Sequence, residues 1–311
     1  PYEWSFFQLK AAALHHLNYQ IFLLEKNTVL IDATAYNIQF KNNKPIFVDL
    51  LSLDKYNEGD YWIGYNQFLR EFLNPLLMQS LKGITFNNWY KGNLNGIYTE
   101  DLNKILSIKD KISLKVCMHV VLLARFLRKT TSNPNKIINK FNNKKYLPKN
   151  SYKSILIQLK KWIENLEPAK RKSVWENYSI ENTYEKNQKE KKLKILKDFI
   201  NKLKPNKIID IGCNDGYYSI ESLKLDCKSA VGIDFDSNAI NQAYKNSELL
   251  TKSFLPLYMD FMNPSSNLGW NEKERYSFLD RANFDCVIAF AFEHHLSIAN
   301  NVPLDQTINY I

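Results

Sequence analysis

Apolar residues recur at three- and four-residue steps along residues 5–25 (Phe6, Leu9, Ala13, Leu17, Ile21, Leu24), which predicts an amphipathic helix. The pattern then breaks into short runs. Val29, Leu30 and Ile31 stop at Asp32, and the runs 37–40 and 45–48 flank the polar turn 41–44, which predicts a β-hairpin. Residues 61–78 form a strongly apolar helix interrupted by Pro75, which lacks a backbone donor. Gly83, Gly92 and Gly96 mark a looped stretch, and residues 114–127 read as another apolar helix. Residues 130–150 are polar, basic and broken by Pro134 and Pro148, as a linker would be. A helix over 151–166, with Ser151 as its cap, ends before Pro168, and a basic helix covers 185–203.

From residue 207 the period changes. Apolar runs at 208–211, 230–233, 254–259 and 284–290 alternate with helical or polar stretches, 269–279 among them. Strands separated by helices predict a parallel sheet covered on its faces. The expected fold is therefore α/β, preceded by a mostly helical α+β module that carries the hairpin. The expected divisions are 1–130, a basic helical linker at 131–192, and the sheet domain at 193–311. The start at Pro1 without a Met, and the stop at Ile311 soon after an apolar strand, read as a piece open at both ends.

Composition narrows the class. At 45% hydrophobic, the 311 residues can bury a real core. No apolar run reaches the roughly 18 residues of a membrane span, and no signal peptide is visible. Cys117, Cys213, Cys227 and Cys286 lack paired metal-ligand spacing and read as reduced thiols, which points to the cytoplasm. The net charge of +10 is local: residues 136–207 hold 20 Lys/Arg against 7 Asp/Glu. That reads as a solvated basic face, with a non-catalytic adaptor for anionic polymers as the alternative. His15 and His16 read as helix-face residues.

Chemistry concentrates between Asp210 and Asp234. The first apolar run ends in Asp210-Ile211-Gly212-Cys213-Asn214-Asp215-Gly216, and the second stops at Asp234, 24 residues after Asp210. Two glycines at a strand-to-helix turn admit close backbone approach to a ligand. An acid at the next strand's tip is placed to accept from two ribose hydroxyls. The spacing is Asp-x-Gly-x-x-x-Gly rather than the G-x-G-x-x-G of a pyrophosphate site, and its acid and amide groups suit a cationic, phosphate-free ligand.

This stretch resembles motifs I and II of the class I S-adenosylmethionine (SAM) methyltransferases. The resemblance implies SAM as cofactor, held by Asp210, Gly212, Asn214, Asp215, Gly216 and Asp234. It further implies that Asp260, at the end of the third strand, accepts from the adenine amino group, with Phe235, Phe261 and Phe290 as apolar neighbours. Such a sheet has seven strands, of which the chain supplies four. Tyr184, ahead of the basic helix, is a further candidate for cofactor contact. The fourth run leads into Phe290 through Leu296, which looks like motif IV, where ligands collect at strand C-termini. His294 or His295 could serve there as a base, with Glu293 as the lesser alternative. The motif differs from the N-P-P-Y and D-P-P-Y of amino-group methylation. That argues against nucleic acid and toward a small-molecule, glycan or lipid-linked sugar acceptor.

A second resemblance covers the N-terminal half. Asp32, Asn37 and Asp49 follow D-x-x-x-x-N…D, similar to the catalytic and metal-binding loop of protein-kinase-like and aminoglycoside-phosphotransferase-like folds. It implies ATP–magnesium phosphotransfer as the alternative function. Leu30 stands where those families carry His, and no Gly-rich loop or strand lysine precedes it, so degenerate turn caps are the competing reading. The combination of both halves resembles a family related to rhizobial host-specific nodulation proteins, which implies a modifying enzyme acting on a glycan or surface polysaccharide.

Overall fold

The computed structural model describes residues 1–41, 43–132, 146–170, 186–290, 292 and 295–310. The chain divides into two compact units: Pro1–Tyr2, Leu9–Gln39 and Pro45–Lys170 form the first, and Glu3–Gln8, Phe40–Lys44 and Arg171–Ile311 the second. Among the described residues no helix is long and apolar enough to cross a membrane.

The first unit is built on α1 (Phe6–Glu25), whose Leu9, Ala13, Leu17 and Leu24 are buried as their spacing requires. His16 is buried too, packed on the rings of Trp62, Phe68 and Phe72 instead of facing out. Burial holds its pKa down at about 3, so it sits in the core as a neutral ring. Strand β1 (Thr28–Leu30) pairs antiparallel with β4 (Leu53–Lys55), and β2 (Ile38–Lys41) with β3 (Lys44–Phe47) forms the hairpin that the pattern predicted. The apolar stretch that follows is α2 (Tyr65–Phe68), a π turn (Leu69–Leu73) and α3 (Asn74–Lys82) in series. Pro75 does not interrupt it, because it stands at the start of α3, where a missing N–H costs least. Shorter helices α4 (Asn87–Gly92), α5 (Thr99–Ile105), α6 (Ile108–Lys111) and α7 (Leu114–Val116) follow. A second π turn (Cys117–Leu122) then leads into α8 (Leu123–Ser132), and α9 (Lys149–Glu164) buries Tyr152, Leu156, Leu159 and Ile163 in this unit.

The second unit is a four-stranded parallel sheet in the order β7-β6-β5-β8 (Ser253–Tyr258, Ser229–Asp234, Lys207–Ile211 and Cys286–Ile288). β5 is covered on both faces, so its run alternates with nothing polar until Asp210. Its core joins Ile208, Ala230, Phe254 and Ile288 to Leu196 and Ile200 of α10 (Lys186–Leu203) and Leu223 of α11 (Tyr217–Lys224). Pro256 is tolerated in β7 because, among the described residues, β6 is the only strand that pairs with it. The fourth strand is shorter than its apolar run, ending at Ile288, so Ala289 and Phe290 leave the ladder at the site. Residues 269–279 form an insertion with a 3-10 turn (Trp270–Glu272), after which α13 (Phe278–Arg281) begins. α12 (Ser237–Ser247) lies between β6 and β7 in the chain, and α14 (Leu304–Tyr310) ends the described residues.

Sequence pattern gave no hint of one contribution to this unit. The Glu3 carbonyl accepts from the Tyr258 amide at 2.8 Å, and its carboxylate takes the Arg281 guanidinium at 3.1 Å. The N-terminal segment thus braces the end of β7.

Candidate functional site

The order β7-β6-β5-β8 places the switch in strand order between β5 and β8, and a crevice opens there beyond the strand C-termini. The loop after β5 is tied to the tip of β6. The Gly212 and Cys213 amides donate to the Ile233 carbonyl at 2.9 and 3.1 Å, and the Asn214 amide donates to Asp234 Oδ2 at 2.9 Å. Gly216 closes the loop at φ +81°, where a Cβ would collide with the buried ring of Phe254. Gly212, at φ +73°, would drive a Cβ to 2.9 Å from Phe292. Glycine is demanded at both positions by conformation and by space.

Two carboxylates stand at the floor. Asp210 is buried and accepts from Ser219 Oγ at 2.7 Å; burial pushes its pKa up to about 7. Asp234 sits at the tip of β6, its Oδ1 accepting from the Asp236 amide at 2.9 Å. Burial raises it to about 6, against the opposing pull of the Asp236 and Asn214 amides. Both oxygens of Asp234 accept backbone N–H groups, and a carboxylate with about four lone-pair sites keeps capacity for a ligand.

The cavity of about 240 Å³ brings the sequence-predicted residues together. Asp210, Gly212, Asn214, Asp215, Asp234, Phe235, Asp260, Phe261 and Phe290 all line it, while Gly216 shapes it from behind. Asp260 is exposed at the rim and spends Oδ1 on the Met262 amide at 2.9 Å. Glu293 and His294 lie outside the described residues, as do the side chain of His295 and all of Tyr184; the His295 backbone opens a π turn (His295–Ala299). Leu296 of that turn lines the cavity.

Several lining residues escaped the sequence reading. Tyr218 packs on Phe290 at 4.7 Å with the rings tilted by 53°, and Phe292 meets Phe261 edge-on at 5.4 Å, so aromatic rings line the cavity together with the acids. Lys189, on the basic helix, places its ammonium 3.9 Å from the Tyr217 ring. The positions of Tyr217 and Tyr218 directly after Gly216 were the available signal, since the first turn of α11 must face the loop. The donor set suits a ligand that combines vicinal hydroxyls, a flat ring and positive charge. It does not suit a pyrophosphate, which would meet four acids, Asp210, Asp215, Asp234 and Asp260.

The other candidate cluster, Asp32, Asn37 and Asp49, also converges. Asn37 Nδ2 donates to Asp49 Oδ2 at 3.1 Å and to Asp32 Oδ2 at 3.4 Å. The remaining capacity goes into turns: Asp32 accepts from the Thr34 amide, and Asp49 from the Leu51 amide and Ser52 Oγ. Among the described residues no three His, Cys, Asp or Glu side chains gather to hold a metal. Buried Glu71 pins the same loop, accepting from Thr34 Oγ1 at 2.7 Å and the Ala35 amide at 2.9 Å.

Comparison with known proteins bears on the second unit most directly. Residues 189–254 match the family model for ribosomal protein L11 methyltransferase (PrmA). The whole chain is 43% identical over 312 residues to nodulation protein NoeA of Rhizobium meliloti (strain 1021), and it spans 65% of that relative's length. Ribosomal protein L11 methyltransferases of Histophilus somni (strain 2336) and Haemophilus influenzae (strain PittEE) are 54% and 50% identical over 41 and 46 residues. Those two matches cover 13% and 15% of this chain, and 14% and 16% of the relatives. No solved structure matches significantly.

Proposed function

We propose that the chain carries the cofactor-binding part of a SAM-dependent methyltransferase, with residues 193–311 as its domain, acting on a small-molecule, glycan or lipid-linked sugar acceptor. The observation that carries this reading is Asp234: its carboxylate stands at the tip of β6, holds the Asn214 amide of the loop 212–216 at 2.9 Å, and lines the same crevice as that loop. Asp234 would accept from the ribose hydroxyls, Asp260 from the adenine amino group, and Phe235 and Phe261 would flank the ring. The bound cofactor would supply an electrophilic methyl on a sulfonium. The acidic floor, Asp210 and Asp215 with Asp234, lowers the potential around that positive charge. Proton removal from the acceptor, where it carries one, falls to His294 or His295, with Glu293 as the lesser alternative.

The likeness to L11 methyltransferases covers α10 through the start of β7, which is the cofactor half of the crevice. It therefore supports the cofactor and says nothing for ribosomal protein L11 as acceptor. The likeness to a nodulation protein runs through both units of this chain and spans 65% of that relative, so the chain's kinship reaches beyond the L11 methyltransferases.

Isothermal titration with S-adenosylhomocysteine tests the reading. The wild-type chain should bind it, and Asp234→Ala should weaken binding by roughly a hundredfold, the worth of two lost hydrogen bonds to a charged acceptor. Equal affinity in the variant would overturn the assignment. A second reading rests on Asn37 bridging Asp32 and Asp49: a kinase-like first half in which these acids serve ATP–magnesium. Binding of ATP–magnesium that Asp49→Ala abolishes would favour it.

A further inference from the structure

The chain from Leu114 to Ser132 carries two opposed stripes. Val116, Val120 and Ala124, four residues apart, are buried, while Leu114, Met118 and Leu122, also four apart, are 73%, 53% and 50% exposed. In a regular α-helix a four-residue stripe drifts by about 40° per step. The π turn at Cys117–Leu122 winds more widely and rotates the stripe back, so the exposed side chains stay in line. Just before it, Ile108 and Ile112 are 84% and 78% exposed. One exposed leucine needs no explanation, but three large apolar side chains in line on one helix, with two more at the short helix before it, do.

The charges along the ridge itself are mostly positive, although Lys104 at its start is paired with Asp101 at 2.9 Å. Between residues 104 and 128 there are six Lys or Arg and a single acid, Asp110. That acid is bound to Lys82 at 2.7 Å. Lys109, Lys115 and Arg125 are exposed among the apolar positions.

We infer that this ridge docks the chain on an anionic lipid bilayer. A helix ridge is convex, so it inserts into a soft surface and offers no groove to a peptide. Seated in the plane of the headgroups, its apolar row enters the acyl boundary and its cations meet lipid phosphates. A second copy of the chain is a poor occupant, because a two-fold contact would set the row Lys109, Lys115 and Arg125 against the same row of cations on the copy. The inference is independent of the methyl-transfer reading and stands or falls without it.

Flotation of the 311-residue chain with lipid vesicles is the test. Phosphatidylcholine vesicles containing phosphatidylglycerol should carry roughly tenfold more protein than phosphatidylcholine alone, and salt should reduce the difference. The triple variant Leu114→Glu, Met118→Glu, Leu122→Glu should lose binding by at least about tenfold. Its melting curve should stay close to wild type, because all three side chains are at least half exposed. Lys109→Gln and Arg125→Gln should each cost about fivefold. Wild-type protein that ignores both vesicle types would overturn the inference, as would a triple variant that floats as well as wild type. A wild-type dimer that the triple variant disperses, without vesicle binding, would identify the ridge as a self-association face and overturn it too.

Discussion

Two acid-bearing loops, one in each unit, use the same residue types to different ends. In the first, Asn37 sits between Asp32 and Asp49, and the carboxylates are further occupied by the Thr34, Leu51 and Ser52 groups of their own turns. In the second, Asp234 also accepts backbone amides, yet the Asn214 amide belongs to the wall of a cavity, and burial holds both Asp234 and Asp210 well above the usual carboxylate range. A carboxylate that is desolvated beside open space is costly to ionise in the empty protein. A cation placed in that space recovers the cost. The difference teaches that acids in a motif indicate a site when the fold withholds water from them and leaves room in front of them.

The largest break in this comparison should come from the loop backbone. Gly216→Ala combines a left-handed φ with overlap on the buried Phe254 ring, and urea unfolding should show a loss of about 2–4 kcal/mol in the second unit. Gly92→Ala in the first unit, where a Cβ meets nothing within 4 Å, should change stability by less than about 0.5 kcal/mol.

Next is the pH response. Asp210 and Asp234 have folded pKa values above their unfolded ones, so the native state holds more protons between the two. Their contribution to stability is fully present below about pH 4, the unfolded value. It is lost as pH rises through about 6 and 7, with a slope of about 1.4 kcal/mol per pH unit for each proton. Affinity for S-adenosylhomocysteine should change in the opposite sense, rising across the same window as the acids ionise. Asp234→Asn should flatten both curves near pH 6, measured by thermal melts and calorimetry.

A smaller effect is expected at the floor. Ser219→Ala removes the hydroxyl from Asp210 and should cost about 1–3 kcal/mol while moving the upper titration to higher pH. Smallest of all, Asn37→Ala should cost about 1 kcal/mol or less by chemical denaturation, because the two carboxylates it bridges are held by other turn contacts.

Much of the sheet was legible because parallel strands buried on both faces must be apolar runs, and the runs at 208–211, 230–233 and 254–259 became β5, β6 and β7. The hairpin was legible for a similar local reason, its polar turn between two apolar runs. The buried place of His16, the continuity of the helix through Pro75 and the early end of β8 were not, since each depends on neighbours remote in the chain.

The chain's own order determined which groups stand at each strand tip: glycines at 212 and 216 and acids at 210 and 234 follow from spacing, because a strand's end and the next turn are local events. Only the tertiary structure decided which of them share a cavity and which acids lose their water. It alone set Tyr218, Phe292 and Lys189 around that cavity, and braced β7 with Glu3 from the other end of the chain. The reason is physical. Periodicity reports how one segment divides between core and solvent, whereas burial of a particular carboxylate depends on every segment that closes over it.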